Sequence, residues 1–330
     1  MKKTTSTHWQ QELTTAIKKV EELCDFLKLD ITKAPYPIST HQRFPLKLTQ
    51  HYVNNIQKGD WNDPLLLQVL PSSQENIQSA GFHDDPVGDL QAVDEPGILK
   101  KYHGRALLIT TQACPVHCRY CFRREFPYSN NHASKRDWGT TIENVRNDKT
   151  LNEVILSGGD PLSLSDKKIK SLIKQLENIP HIKTLRIHSR YPLLLPSRLS
   201  TELLEILTNN RFRVILVIHA NHANELDDVV QQQLQHYHAA GIMLLNQSVL
   251  LKGINDEAKT LIALSHRLMD CHVLPYYLHQ LDKVTGTRHF EVTDTQALAL
   301  ISTLREALPG YLVPRLVREV SGKRSKTPIV

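Results

Sequence analysis

The sequence predicts an α/β fold, a partial parallel (β/α)6 TIM-like barrel with an N-terminal helical extension and a short C-terminal segment. Three observations predict it. From Ala106 onward, short β-prone runs alternate with stretches of helical apolar spacing, which is how parallel βα units read in sequence. The runs are ALLIT, EVIL, TLRI, VILVI, MLLN and VLPYY, enough for part of a barrel but not for the eight strands of a closed one. Each run leads into a polar cluster: TQACPVHC, SGGD, HSRYP, HANHAN, NQS and YYLHQLD. In parallel βα barrels those positions converge on one face.

In chain order, Leu13, Ile17, Val20, Leu23 and Leu27 recur at helical spacing in a polar background, so one amphipathic helix is expected near the start. Between about Pro35 and Pro96 the chain is rich in proline, aspartate and asparagine and shows no strand and helix rhythm apart from the apolar run Pro64 to Leu70. Residues 1–100 are therefore expected to form a separate extension. The barrel is expected over 101–292, its helices carried by Ile169, Leu172, Ile173 and Leu176, then Leu199, Leu203, Ile206 and Leu207, then Leu261, Leu264 and Leu268. Residues 293–330 read as a helix followed by a segment that ends in the basic run GKRSKTPIV.

A chain of 330 residues can bury a sizeable core, and its formal charge of +6 is too diffuse to name a partner. MKKTTSTHWQQELTTAIKK has no apolar stretch after its lysines, and no later run has the length needed to cross a bilayer, so no membrane role is expected. The five cysteines, three of them packed between Cys114 and Cys121, do not make the even framework of a secreted domain. A reducing cytoplasm is the expected location.

Cys114, Cys118 and Cys121 follow the first barrel strand as Cys-x3-Cys-x2-Cys, so one loop can turn three thiolates toward a single centre. A four-iron cluster normally takes four cysteines, and a loop that offers three leaves one iron open to another ligand. On spacing alone zinc stays open, with His117 or His132 as a fourth ligand, and the chain would then be a zinc-stabilised nucleic-acid-binding protein. After the second strand, SGGDP sets two adjacent glycines where backbone can approach a ligand closely, or where the chain makes an ordinary turn. His219 and His222 in HANHANE lack a third metal ligand nearby and read as pocket lining.

The stretch ACPVHCRYCFRR resembles the cluster loop of the radical S-adenosylmethionine (SAM) superfamily, with Tyr120 as the aromatic before the third cysteine. The resemblance implies a 4Fe-4S cluster on Cys114, Cys118 and Cys121 whose open iron chelates S-adenosyl-L-methionine. It also assigns Tyr120 and the segment Ser157, Gly158, Gly159 and Asp160 to that cofactor. Further stretches, KYHGRALLITTQACPVHCRYCFRR, LSGGDPL, RIHSRYPLLLPSRL, HANHANE and NQSVLLKGIND, resemble lysine 2,3-aminomutases in the same order, from roughly Asp60 to the end.

That family adds pyridoxal 5'-phosphate (PLP) carried on a lysine, and the alignment of EVSGKRSKTP puts Lys326 in the role, though by composition it reads as one more lysine of a basic tail. The resemblance places Tyr102 and Arg105 beside PLP and gives Arg123 the substrate carboxylate, for which a guanidinium fork is well shaped. It puts Gln280 and Glu319 where the family has two aspartates for the side-chain ammonium, with Asp282 close by. It thus implies an isomerase that moves the amino group of lysine to the neighbouring carbon, giving β-lysine.

In length the chain resembles the short bacterial members that make β-lysine for modifying translation elongation factor P, which implies a functional link to that factor and its lysyl-transfer enzyme. A radical aminomutase for another amino acid, such as glutamate, stays open, as does a homo-oligomer. Nucleic acid is not expected as a partner.

Overall fold

A computed structural model of the chain describes residues 8–39, 44–95, 97–128 and 138–330. Their strands form one sheet: β1 Val93–Glu95, β2 Ile98–Leu99, β3 Arg105–Thr111, β4 Glu153–Gly158, β5 Thr184–Ser189, β6 Arg213–Ile218, β7 Met243–Val249, β8 Leu274–His279, β9 Arg315–Arg318 and β10 Thr327–Pro328. They pair in sequence order, and β3 through β9 are parallel. At the two ends, β1 with β2, β2 with β3 and β9 with β10 are antiparallel. The sheet is open and mixed, a partial barrel.

All six expected strands are present. Two further strands take up the C-terminal segment, with Thr327 opposite Arg318 and Pro328 opposite Val317. Lys326 therefore does not lie in a solvated tail; it directly precedes β10, and its side chain is 18% exposed.

The helices are α1 His8–Thr14, α2 Val20–Leu27, α3 Gln50–Asn54, α4 Pro64–Leu67, α5 Gly139–Asn147, α6 Asp166–Glu177, α7 Tyr191–Leu194, α8 Thr201–Thr208, α9 Asp228–Ala239, α10 Ala258–Asp270 and α11 Asp294–Ala307. Parallel strands need such crossovers, which cover the sheet, so a strand can be buried along its whole length, as β4 is from Val154 to Gly158. α6 buries Ile169, Leu172, Ile173 and Leu176, the stripe its spacing foretells.

The single N-terminal helix expected from sequence is two helices, α1 and α2. Between them Ile17 pairs with Leu48 through backbone hydrogen bonds of 2.8 and 2.9 Å, which a continuous helix would forbid. Ile17, Val20, Leu23 and Leu27 are still buried, so the apolar spacing read burial correctly and continuity wrongly. Trp9 on α1 meets Tyr191 edge-on at 5.9 Å between ring centres and lies 4.6 Å from the buried Arg198 guanidinium. One apolar core thereby runs from the extension into the barrel. No helix among the described residues is long and apolar enough to cross a membrane.

Candidate active site

A cavity of about 330 Å³ opens at the C-terminal ends of the parallel strands, and the polar clusters noted in sequence wall it. Cys114, Cys118, Tyr120, Cys121 and Arg123 come from the loop after β3, and Ser157, Gly158, Gly159 and Asp160 from the end of β4. Tyr102, Arg105, Asp282, Glu319 and Lys326 close the other side.

The cysteine loop is held from outside itself. Lys47 Nζ donates to the Cys114 carbonyl at 2.6 Å, and the Arg119 amide donates to the Gln68 carbonyl at 2.8 Å. The Glu75 carboxylate receives both Arg119 and Arg124, the latter at 2.6 Å. Burial alone would raise the Glu75 carboxyl, but the two guanidiniums outweigh it and hold it below the usual range. Lys47 and Glu75 belong to the stretch that showed no rhythm in sequence, and Gln68 to the apolar run Pro64 to Leu70 within it.

Burial raises the Cys114 thiol well above its ordinary value and pushes Cys121 up to about 11. Iron takes cysteine as the thiolate, so a cluster loaded on these residues would release protons. Zinc would need four donors about 2.0 to 2.3 Å from one point. Among the described residues no three His, Cys, Asp or Glu side chains converge in that way. A four-iron cluster takes each cysteine at a separate iron. His117 turns its Nδ1 to the Pro45 carbonyl at 2.6 Å and stacks on Phe44, and His132 lies outside the described residues.

The glycine pair is packed against the cysteine loop. A Cβ at Gly158 would stand 2.5 Å from the Thr111 carbonyl oxygen, and one at Gly159 the same distance from that of Ala113. The Gly159 and Asp160 amides donate to those two carbonyls at 2.7 and 2.8 Å, which joins the loop to the end of β4. Asp160, raised by burial to about 6, accepts from the Leu162 amide, the Ser189 hydroxyl and the Arg190 amide. Its carboxylate therefore orders the turns after β4 and β5.

Across the cavity runs a chain of alternating charge. Arg123 Nε donates to Asp89 at 2.6 Å and its Nη1 to the Ser157 hydroxyl at 3.1 Å. Lys101 bridges Asp89 at 2.5 Å and Glu319 at 2.8 Å, and Lys326 Nζ binds the second Glu319 oxygen at 2.8 Å. Burial would raise Glu319, yet Lys326 and Lys101 hold it down at about 2. Asp282 is pushed up to about 7 by burial and by the negative charge of Glu319.

Arg105 lies 5.5 Å from the Tyr102 ring and Lys326 Nζ 5.9 Å from the Tyr277 ring, so cations and aromatic walls face the same space. Gln280 lies elsewhere: its amide donates to the Val292 carbonyl and to Asp294, away from the cavity. Of the two histidines read as lining, His219 lines the cavity, and burial with the positive charge of Arg190 lowers it to about 4, leaving a neutral ring. His222 instead accepts the Asn224 amide and caps the turn Ala223–Glu225. Sequence reasoning missed Asp89, Lys101, Arg190, Glu225 and Gln68. Arg190 and Glu225 stand inside HSRYP and HANHANE, so their position after a strand was the available signal.

The chain matches the Radical SAM superfamily over residues 108–264. It is 44% identical over 322 residues to an L-lysine 2,3-aminomutase of Escherichia coli, which is 97% of this chain and 94% of that one. The chain belongs to the lysine 2,3-aminomutase family of radical SAM enzymes. A second member, the L-lysine 2,3-aminomutase of Clostridium subterminale, is 33% identical over 98% of this chain and 77% of its own. A crystal structure of a radical SAM methyltransferase from Sphaerobacter thermophilus shares the fold, with a TM-score of 0.50 and 14% identity over 67% of this chain and 68% of that one.

The chain is accordingly an isomerase, and its family implies a 4Fe-4S cluster, SAM and PLP. The cavity fits these groups. Three thiols reach it from one loop, and His188 Nε2, His219 Nε2 and Gln247 Oε1 are buried in its wall with no hydrogen-bond partner, the kind of group a polar ligand satisfies. Lys326 and Arg105 also line it, an amine and a cation of the kind that would hold a phosphorylated aldehyde.

Proposed function

We propose that this enzyme converts L-lysine to β-lysine by moving the amino group from the α-carbon to the β-carbon. The observation that carries this reading is the sorting of charge in one cavity. Arg123 supplies a guanidinium for the substrate carboxylate, while Asp282 and Glu319 supply anions for its distal ammonium. A glutamate aminomutase would want a cation where these two carboxylates stand.

In this reading Cys114, Cys118 and Cys121 hold the cluster, and the walls formed by Tyr120 and by Ser157 to Asp160 seat SAM. Lys326 carries PLP, with Tyr102 and Arg105 at its ring and phosphate. When bound, these groups supply a radical that removes hydrogen from substrate and a carbonyl that makes the migrating nitrogen mobile. The protein's own part is to position them. Arg123 is fixed by Asp89 and Ser157 before substrate arrives, so little side-chain entropy is lost on gripping a carboxylate. Glu319 holds Lys326 as its ammonium partner and lines the same cavity, where its carboxylate would also face a substrate ammonium.

We assign the product to the modification of translation elongation factor P through its lysyl-transfer enzyme, which the resemblance to short bacterial members supports. Anaerobic incubation of the reconstituted protein with lysine, SAM, PLP and reductant, followed by chiral chromatography, should yield β-lysine. A preparation with cluster and PLP loaded that leaves lysine unchanged would move the substrate to another amino acid. Mass spectrometry of elongation factor P from cells lacking this chain tests the second step, a lost β-lysyl increment being expected.

A further inference from the structure

Arg190 follows β5 and is buried, with its side chain 6% exposed. Its Nη1 lies 2.7 Å from Cys118 Sγ, and its Nη2 donates at 2.6 Å to both Gln68 Oε1 and Glu225 Oε2. Glu225 is fully buried, and its other oxygen receives the amides of Asn221 and His222 at 2.8 and 3.0 Å. Gln68 is held in turn by Asn221, whose amide donates to it at 3.0 Å. The guanidinium is thus locked on a cysteine sulfur by partners from α4's C-terminal flank and from the turn after β6.

We propose that Arg190 sets the reduction potential of the cluster on Cys114, Cys118 and Cys121, acting as a positioning residue through its hydrogen bond to Cys118. The proposal rests on the reading of those three cysteines as cluster ligands. One-electron reduction adds a negative charge to the cluster and its thiolates. A cationic donor on one sulfur stabilises that reduced form more than the oxidised one, and does so strongly in a water-poor site. Hydrogen bonds to sulfur and nearby net charge are among the protein's means of moving such a potential. Glu225 lies behind the guanidinium and opposes it, so the two residues act with opposite sign. A merely structural role has no such sign.

The test is a dye-mediated redox titration of the reconstituted full-length protein without SAM, with dithionite as the one-electron donor and the reduced cluster followed by electron paramagnetic resonance. Arg190→Gln should lower the ratio of reduced to oxidised cluster at a given potential at least tenfold, a downward shift of at least about 59 mV for one electron. Arg190→Lys should fall by less, and Glu225→Gln should shift upward. An unmoved potential in Arg190→Gln, or shifts of the same direction in Arg190→Gln and Glu225→Gln, would overturn the proposal. If Arg190→Gln holds no cluster, Glu225→Gln decides alone, a rise supporting the proposal and any other result refuting it. An unchanged potential with lost SAM binding in equilibrium dialysis would make Arg190 a ligand of SAM instead and sink the proposal. A parent protein that takes up zinc without sulfide would remove the cluster reading itself, which is a separate failure.

Discussion

Asp282 is a carboxyl held at the edge of ionisation. Burial and Glu319 raise it from 3.8 to about 7, so the folded chain keeps this proton to a higher pH than the unfolded one does. Between those two values the folded state binds more protons, and stability contributed by this group falls as pH rises. Asp282→Asn should therefore melt a few degrees above the parent at pH 8, with the gap closing toward pH 4. In the proposed reaction the same variant loses a charged partner of the substrate ammonium. Such bonds contribute about 1.5 to 3 kcal/mol, so KM for lysine should rise by roughly 10- to 100-fold. A lower melting temperature at pH 8, or an unchanged KM, would contradict this account. Lys326→Ala should abolish the PLP-labelled peptide recovered after borohydride reduction while leaving iron content unchanged; a labelled peptide elsewhere in the chain would displace Lys326. At this scale the cysteines were legible because all three lie on one loop. Gln280 was misplaced because its partners, Val292 and Asp294, lie beyond β8 at the start of α11, and no local pattern announces them.

The cysteine loop has no regular structure to fix it, so its order comes from elements distant in sequence. Glu75 is its main clasp, binding Arg119 and Arg124 on either side of Cys121. Removing one member of a buried ion pair costs about 3 to 5 kcal/mol, since the charges left behind are unpaired. Glu75→Ala should therefore load the cluster poorly and lose iron in air several-fold faster than the parent, which iron and sulfide assays over time would show. Equal retention would mean that Lys47 and Gln68 suffice. The clasp was not legible, because residues 44–75 carry few periodic apolar positions and their polar groups find partners only in the folded chain. The glycine pair was legible as a place of close approach. The closeness the structure shows is to the carbonyls of Thr111 and Ala113, which sequence cannot distinguish from closeness to a ligand.

At the scale of the molecule, six strands were readable because each is an apolar run followed by polar residues. β9 and β10 were not, being four and two residues long and defined by pairing rather than composition. The extension read from composition as separate, yet Leu23, Leu27, Leu48, Tyr52, Val53, Leu65, Leu66 and Val69 are buried in the same core as β3 to β7. Truncating one such leucine to alanine costs about 2 to 5 kcal/mol, and whole domains are stable by only about 5 to 15 kcal/mol. Losing all of them together exceeds any such margin. A chain beginning at residue 80 should thus show no cooperative thermal transition and retain no iron, because it lacks both this core layer and the clasp on the cysteine loop. A fragment that melted cooperatively and held a cluster would instead make the extension an independent domain, attached to the barrel without supporting it.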